Sequence, residues 1–156
     1  MTQRMPTFRE ARPGELAATA GLRREMILEI DGVDYDALHP GWRERYLAFF
    51  SGNQASGRGQ FFVAESGAAF VGTAAVYKLV NHRSQITLQQ SAYICSVYVD
   101  PAWRRRGIAR ALTQACVAWA KANGCDVVRL RTSQMGRPVY EGLGFGRTDE
   151  LELRLP

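Results

Sequence analysis

The stretch from residue 91 to residue 133 constrains the fold more than any other part of the sequence. "SAYICSVYVD" has the aromatic and β-branched composition of a strand, which ends at Asp100 and Pro101. A helical spacing of apolar residues then runs from Arg105 to Gly124, and "DVVRLRTS" follows as another strand. A helix that crosses between two strands of one sheet makes those strands parallel, so this stretch predicts a β-α-β unit.

The rest of the chain supplies a hairpin and further helices. "PTFREARPGE" predicts a strand, "ELAATAGLRREMILEI" a helix, "DGVDYDALHPG" a loop and "WRERYLAFFSG" a second helix. "QFFVAESGAAFVGTAAVYKLV" predicts two strands joined at Ser66 and Gly67, and "NHRSQITLQQ" predicts a polar loop. A short helix in "GRPVYEGLG" and a last strand in "TDELELRL" complete the chain. We therefore predict one domain over residues 1–156, of the α/β (α+β) class, with a mixed sheet.

Composition is that of an ordinary globular protein. Of 156 residues, 46% are hydrophobic and 22% are charged, which suits a domain with a buried core. The N-terminal segment carries arginines instead of the apolar stretch of a secretory signal, and no apolar run reaches membrane-spanning length. We therefore expect a cytoplasmic protein without a membrane partner. Three cysteines without C-x-x-C spacing indicate neither a disulfide framework nor a metal site.

The segment "VDPAWRRRGIARAL" places three arginines and a glycine where the strand gives way to the helix. The first turn of a helix has backbone N–H groups without helical partners, and it carries the positive end of the helix dipole. Gly107 and Ala109 are small enough to let a phosphate approach those N–H groups. The net charge of +5 agrees with an anionic partner, although a solvated helix start would use the same residues.

Two common nucleotide-binding patterns are missing. The sequence contains no G-x-x-x-x-G-K-[ST], and no G-x-G-x-x-G follows a strand. Nucleotide hydrolysis and dinucleotide redox chemistry are therefore disfavoured. A nucleic-acid partner is disfavoured too, because basic and aromatic residues do not alternate as they do in many such binders.

Two motifs in order resemble the GNAT superfamily of N-acetyltransferases. The arginine segment resembles the family's acyl-coenzyme A signature, R-x-x-G-x-[GA], here Arg104, Gly107 and Ala109. "SQMGRPVYEGLGF" resembles its second motif, N-x-x-A-x-x-x-Y-x-x-x-G-F. The resemblance is strongest over residues 93 to 145. It implies a largely antiparallel twisted sheet flanked by helices, a splayed pair of strands at the coenzyme site, acetyl-CoA as co-substrate and no metal.

The resemblance also implies a role for each matching position. The backbone from Val97 to Val99 would pair with the pantetheine arm like an added strand. The amide of Val97 would donate to the oxyanion of the tetrahedral intermediate, and Tyr140 would protonate the departing thiolate. The expected coenzyme-binding residues are Val97, Tyr98, Val99, Arg104, Arg105, Arg106, Gly107, Ile108, Ala109, Arg110, Ser133 and Tyr140.

Two positions depart from the family pattern. Ser133 stands where many members have an asparagine that contacts the coenzyme arm. Tyr93 stands where some members that acetylate protein lysines carry a glutamate base, so a small-molecule amine is the favoured acceptor. Tyr93, Glu29 and Asp34 are the candidate substrate residues.

The sequence leaves the base open. An alkylammonium must lose its proton before its nitrogen can attack a thioester. The candidate acceptors of that proton are Glu29, Glu65, Asp34, His82 or a chain of water molecules. Asp31, Asp34 and Asp36 lie in a connection that borders the acceptor pocket in the family, where they could attract a cationic amine or act as turn and cap residues.

We therefore expect an acetyl-CoA-dependent N-acetyltransferase that acts on a small amine, with a homodimer as a possible assembly. A non-catalytic acyl-CoA sensor is the alternative that keeps the same coenzyme site. A nucleic-acid binder that uses the arginine corner is the third reading.

Overall fold

The computed structural model describes residues 3–156, which build a five-stranded sheet with helices on both faces. The strands are β1 (Thr7–Glu10), β2 (Gly59–Ser66), β3 (Ala69–Leu79), β4 (Ser91–Val99) and β5 (Val127–Leu130). The helices are α1 (Leu16–Asp31), α2 (Tyr35–Leu38), α3 (Trp42–Ala55), α4 (His82–Ile86), α5 (Ile108–Ala122) and α6 (Arg137–Gly142).

The sheet follows the order of the sequence from β1 to β5. Strands β1 to β4 pair antiparallel, and β5 pairs parallel with β4. Helix α5 provides the crossover between these two parallel strands. The predicted fold class, a mixed and largely antiparallel sheet flanked by helices, is confirmed.

Helix α5 covers one face of the sheet. Its buried residues Ile108, Leu112 and Cys116 join the core formed with β2, β3 and β4. A Cβ atom on Gly72 of β3 would lie 3.1 Å from the side chains of both Ile108 and Leu112. Glycine at this position therefore lets α5 pack directly on β3.

Helices α1 and α3 cover the opposite face. Leu16 of α1 and Tyr46 and Phe50 of α3 pack against Phe61 of β2. The Thr19 hydroxyl lies 2.6 Å from the Tyr46 hydroxyl, which satisfies two buried polar groups between these helices. The β4 strand thus lies between two separate helix layers.

Two short helices occur where loops are predicted. Helix α2 lies in the connection after α1, and α4 lies in the polar segment before β4. The Asn81 side chain accepts a hydrogen bond from the Ser84 amide, which caps α4. Among residues 3–156, no helix is both long and apolar enough to cross a membrane.

The prediction of a last strand in "TDELELRL" is wrong. Residues 145–156 have no regular secondary structure. Leu151, Leu153 and Leu155 are 95%, 83% and 81% exposed. A strand needs a hydrogen-bonded neighbour as well as an alternating sequence, and no other segment among residues 3–156 pairs with this one.

Candidate active site

Strand β4 loses its neighbour on one edge halfway along its length. Residues Ser91 to Ile94 pair with Val127 to Leu130 of β5. From Cys95 to Val99, no described residue pairs with that edge of β4. The backbone that was expected to receive the pantetheine arm therefore lies in the open part of a splayed strand pair.

A β-bulge lies in the same part of β4. Thr73 pairs with Tyr98 and Ala75 pairs with Cys95, so three steps along β4 face two steps along β3. Ser96 has a positive φ of 53°. The Thr73 hydroxyl donates to the Ser96 carbonyl at 2.9 Å and holds the bulge in place. Val97, the expected oxyanion donor, belongs to this bulge.

Helix α5 begins immediately after the arginine triplet. Arg105 and Gly107 have φ values of 61° and 75°, which a right-handed helix cannot include, so the first helical residue is Ile108 instead of Arg105. The first helical hydrogen bond runs from the Ala111 amide to the Gly107 carbonyl at 3.0 Å. The amides of residues 105–110 donate to no acceptor within residues 3–156. They form a turn of free amides at the position where the sequence predicts an anion-binding site.

Space in front of this turn is open. A Cβ atom on Gly107 would meet no heavy atom within 4 Å. The Arg105 side chain is exposed, and Arg106 stacks 5.1 Å from the Trp103 ring. Arg110 points towards the Gly142 carbonyl, 3.5 Å away, at the end of α6.

Arg104 differs from the other arginines of the motif. Its two terminal nitrogens each donate to a carboxylate oxygen of Glu29 at 2.6 Å. Its Nε donates to the Val99 carbonyl at 2.9 Å. Arg104 therefore ties the end of β4 to α1, and one carbonyl of the open edge already has a protein partner.

Tyr140 of α6 has a buried ring, only 9% exposed, that packs 6.0 Å from the Phe145 ring. Burial raises the pKa of its hydroxyl to about 12. The hydroxyl makes no hydrogen bond with residues 3–156. The hydroxyl oxygen is not fully buried, so it remains accessible. Ser133 lies just before α6, where its Oγ accepts from the Gly136 amide at 3.2 Å.

The candidate carboxylates all have arginine partners. The hydrogen bonds from Arg104 hold the pKa of Glu29 below its ordinary value. Arg24 does the same for Asp34, which it contacts at 2.8 and 2.9 Å. The Glu65 carboxylate lies 3.0 Å from an arginine of β1, and its pKa is lowered as well.

The acidic connection after α1 is built into the fold. Asp34 accepts from the Asp36 amide at 3.0 Å and caps α2. Asp36 accepts from Arg43 and from the Trp42 indole at 2.8 to 3.0 Å, and these bonds lower its pKa to about 2. Asp31 is exposed, and His82 is exposed on α4, outside the strand layer.

Tyr93, Cys95 and Ser96 lie on the face of β4 opposite α5. Arg23 of α1, which sequence reasoning missed, reaches the same face. The Tyr93 ring lies 5.8 Å from the Tyr77 ring. Nη1 of Arg23 donates to the Ser96 Oγ at 2.8 Å. The only sequence signal for Arg23 was its place on the helix face that turns towards the sheet. Because Arg24 beside it carries the same charge, the sequence does not show which of the two arginines reaches the site.

Burial suppresses thiol chemistry at this site. It raises the pKa of Cys95 to about 11, and it raises the pKa of Cys116 on α5 as well. Thiols that remain protonated at neutral pH are poor nucleophiles and poor metal ligands. No three His, Cys, Asp or Glu side chains cluster as a metal site within residues 3–156.

A mixed sheet with a splayed strand pair beside an open helix N-terminus is the architecture of an N-acetyltransferase. The model of the acetyltransferase (GNAT) family matches residues 24–145. This range contains both sequence motifs, the splayed strands and Tyr140. The chain belongs to the acetyltransferase (GNAT) family, and it is an acetyltransferase.

Solved structures share the fold over nearly the whole chain. A GCN5-related N-acetyltransferase from Ralstonia eutropha superposes with a TM-score of 0.82 at 25% identity, covering 97% of this chain and 99% of that one. A protein from Clostridium acetobutylicum described as a predicted acetyltransferase and crystallised with acetyl-CoA gives a TM-score of 0.81 at 24% identity, with coverages of 97% and 96%.

A curated relative matches a shorter segment. Glucosamine 6-phosphate N-acetyltransferase from Trypanosoma brucei brucei is 38% identical over 63 residues. That segment spans 40% of this chain and 42% of the relative. The match therefore covers less than half of either protein.

Proposed function

We propose that this protein transfers the acetyl group of acetyl-CoA to a primary amine of a small molecule. The observation that carries the proposal is the open edge of β4 from Cys95 to Val99, beside the α5 N-terminus. An extended thioester arm can pair with the open edge while its diphosphate accepts hydrogen bonds from the free amides of residues 105–110. The named relatives support both the coenzyme and the class of acceptor.

The arginine side chains divide between two tasks. Arg105, Arg106 and Arg110 supply positive charge to the diphosphate, because none of them makes an ion pair within residues 3–156. Arg104 supplies the rigid attachment of β4 to α1 through Glu29. Ser133 contributes by shaping the turn that precedes α6.

The acetyl transfer proceeds by direct attack of the neutral amine on the thioester carbonyl. The C–N bond forms, the carbonyl oxygen becomes an oxyanion that accepts from the Val97 amide, and the C–S bond then breaks. Tyr140 gives its proton to the departing thiolate. Its raised pKa keeps the hydroxyl protonated and ready to donate at neutral pH.

Water carries the amine proton to solvent in this mechanism. Glu29, Asp34 and Glu65 have lowered pKa values, so their carboxylates are weaker bases than ordinary ones. An amine with an ordinary pKa of about 10 is mostly protonated at pH 7, so the rate should rise with pH as its neutral fraction grows.

The test of the coenzyme site compares two glycines at opposite ends of α5. Gly107 and Gly124 have φ values of 75° and 78°, and a Cβ on either meets nothing within 4 Å. Coenzyme A should raise the melting temperature of the parent and of Gly124→Glu. It should not stabilise Gly107→Glu, because the new carboxylate would repel the diphosphate. Equal stabilisation of both variants would contradict the site.

Turnover separates an enzyme from a coenzyme sensor. Release of free thiol from acetyl-CoA should occur with at least one amine of a pooled screen. A sensor would show stabilisation by coenzyme A but no thiol release with any amine. Stabilisation by polyphosphate or DNA as large as that by coenzyme A would favour a general anion site.

The proposed assembly is a homodimer. Leu151, Leu153 and Leu155 alternate in sequence along a segment without regular secondary structure and are exposed in the single chain. A second copy would cover these apolar side chains. Cytoplasmic location and the absence of membrane and nucleic-acid partners belong to the same proposal.

A further inference from the structure

Arg23 is a half-buried cation without a carboxylate partner. One of its terminal nitrogens donates to the Ser96 hydroxyl at 2.8 Å. Among residues 3–156, no carboxylate oxygen lies within 4.0 Å of its guanidinium. A guanidinium has five N–H donors, so most of its hydrogen-bonding capacity is unused.

Neighbouring arginines on this side of the sheet do have acidic partners. Arg24 contacts Asp34, and Arg104 contacts Glu29 with two hydrogen bonds. The carboxylates of Asp34 and Glu29 are thus already paired with other guanidinium groups. The uncompensated charge beside the β4 bulge is positive.

Arg23 lies among aromatic and thiol groups. Its positive charge favours the ionised forms of Tyr46, Tyr77 and Cys95, lowering their pKa values against the larger effect of burial. Tyr46 belongs to the core between the sheet and α3, and Cys95 packs against that core. A cation that has lost part of its hydration in such surroundings gains from an anion that forms charge-assisted hydrogen bonds.

The position of Arg23 connects it with the acetyl transfer. Its partner Ser96 precedes Val97, whose amide is the proposed oxyanion donor. Helix α5 covers the other face of β4, so an acceptor amine would approach this bulge from the α1 face. The part of the acceptor beyond its amine would then pass close to Arg23.

We infer that Arg23 binds an anionic group, a carboxylate or a phosphate, on the acceptor amine. A planar guanidinium forms two parallel hydrogen bonds with either group. This inference rests on the proposed acetyltransferase function. It replaces the expectation that acidic residues attract a cationic acceptor, because Asp34 and Asp36 pair with Arg24 and Arg43.

The test uses two matched pairs of amines. Glucosamine 6-phosphate is compared with glucosamine, and alanine with alaninamide, as acceptors for thiol release from acetyl-CoA. The parent should prefer the anionic member of at least one pair by ~10- to 100-fold in kcat/KM, the range for charged hydrogen bonds. The pair that shows the preference distinguishes a phosphate from a carboxylate.

Variants of Arg23 connect the preference to this side chain. Arg23→Gln should abolish it, and Arg23→Lys should retain part of it. Arg24→Gln is the matched control, since Arg24 has acidic partners, and it should keep the preference. Each variant is compared with the parent on the same pair, so different amine pKa values within a pair cancel.

Three results would overturn the inference. The parent could show no preference within either pair, or Arg23→Gln could lower kcat/KM equally for both amines of a pair. The melting shift caused by coenzyme A could also fall in Arg23→Gln, which would assign Arg23 to the coenzyme site.

Failure of the proposed function would look different. In that case coenzyme A would not stabilise the parent, and no amine would release thiol. Coenzyme A could stabilise the parent while these four amines release no thiol. In that case the melting temperature of the coenzyme-loaded protein is measured with each amine, to test whether the amine binds. A larger shift with an anionic member, absent in Arg23→Gln, supports the inference, and equal shifts overturn it.

Discussion

Arg104 belongs to a predicted binding motif and also connects two elements of the fold. Both terminal nitrogens of its guanidinium donate to Glu29, and its Nε donates to the Val99 carbonyl. Arg105, only one residue later, is exposed and has no ion-pair partner in the described chain. Replacement of Arg104 should therefore affect stability, and replacement of Arg105 should affect coenzyme affinity.

The role of Tyr140 is tested by Tyr140→Phe. Loss of a general acid typically lowers the rate by about 10² to 10⁴. We expect kcat to fall by about 10²-fold or more, while the stabilisation by coenzyme A changes little, because the buried ring is retained. The measurements are steady-state thiol release and melting temperature with coenzyme A. An unchanged kcat would mean that solvent protonates the thiolate.

The pH profile provides a second check on Tyr140. Burial raises its pKa to about 12, so the hydroxyl keeps its proton over the range in which amines lose theirs. The rate of the parent should rise from pH 7 towards pH 10 without a falling limb from this group. A decline that begins near pH 8 and is absent in Tyr140→Phe would contradict the raised pKa.

At the level of residues, the sequence predicted what depends on local pattern. Gly107 and the open amides after it follow from a short motif at the start of a helix. The partner of Arg104 is 75 positions away, so no local pattern could identify Glu29 as that partner. For the same reason Arg23 and Arg24 look alike in sequence, although only Arg24 has acidic partners.

At the level of elements, the ion pair between Glu29 and Arg104 joins α1 to the end of β4. One of these two elements, β4, carries the open strand edge. Tyr98 packs against Met26 and Ile27 of α1 and makes the same connection with apolar surface. The geometry of the splay therefore depends on long-range contacts with α1.

This connection predicts a pH-dependent loss of stability in Glu29→Gln. The pKa of Glu29 is lowered in the folded state, so its ion pair stabilises the fold fully above the ordinary pKa of 4.5 and is lost as the pH falls through the lowered value. At pH 7 we expect a decrease in melting temperature of about 2 to 4 °C, which corresponds to about 1 kcal/mol. Parent and variant should converge in acid.

The matched control for this experiment is Asp31→Asn, two residues further along α1. Asp31 is exposed and has no ion pair within the described residues. Its replacement should leave the melting temperature unchanged at both pH values. A difference between parent and Glu29→Gln that persists below pH 3 would show that lost packing, rather than charge, causes the effect.

Elements with strong periodicity were predicted well, and short or unpaired ones were not. The period of α5 and the composition of β4 predicted both elements, although α5 begins at Ile108 instead of Arg105. Helix α4 was missed because it is only five residues long and has one apolar residue, Ile86, so it shows no helical period. The last strand was wrong because alternation in "TDELELRL" indicates only that a strand is possible, and pairing requires a partner.

At the level of the whole molecule, the exposed C-terminal leucines distinguish a monomer from the proposed dimer. Light scattering coupled to gel filtration should give twice the chain mass for the parent. The double substitution Leu151→Glu and Leu153→Glu should give a monomer with an unchanged fold, because both side chains are exposed in the single chain. Val80→Glu is the control, since Val80 is 67% exposed elsewhere, and it should stay dimeric. A monomeric parent would contradict the assembly.

The bulge in β4 has a consequence for how this family member can diversify. Before it, Ile94 faces α5 and Cys95 faces the α3 side; beyond it, Val97 faces α5 and Tyr98 faces α1. The alternation of side chains between the α5 layer and the α1–α3 layer is therefore shifted by one residue within β4. Substitutions at Ile94 or Val97 alter the packing with α5. Substitutions at Cys95 or Tyr98 alter the packing on the opposite face of β4. Deletion of Ser96 would remove the extra residue of the bulge and restore regular alternation while Val97 and Tyr98 keep their present faces, so it would cost the contact with Arg23 without exchanging the two sides of the strand.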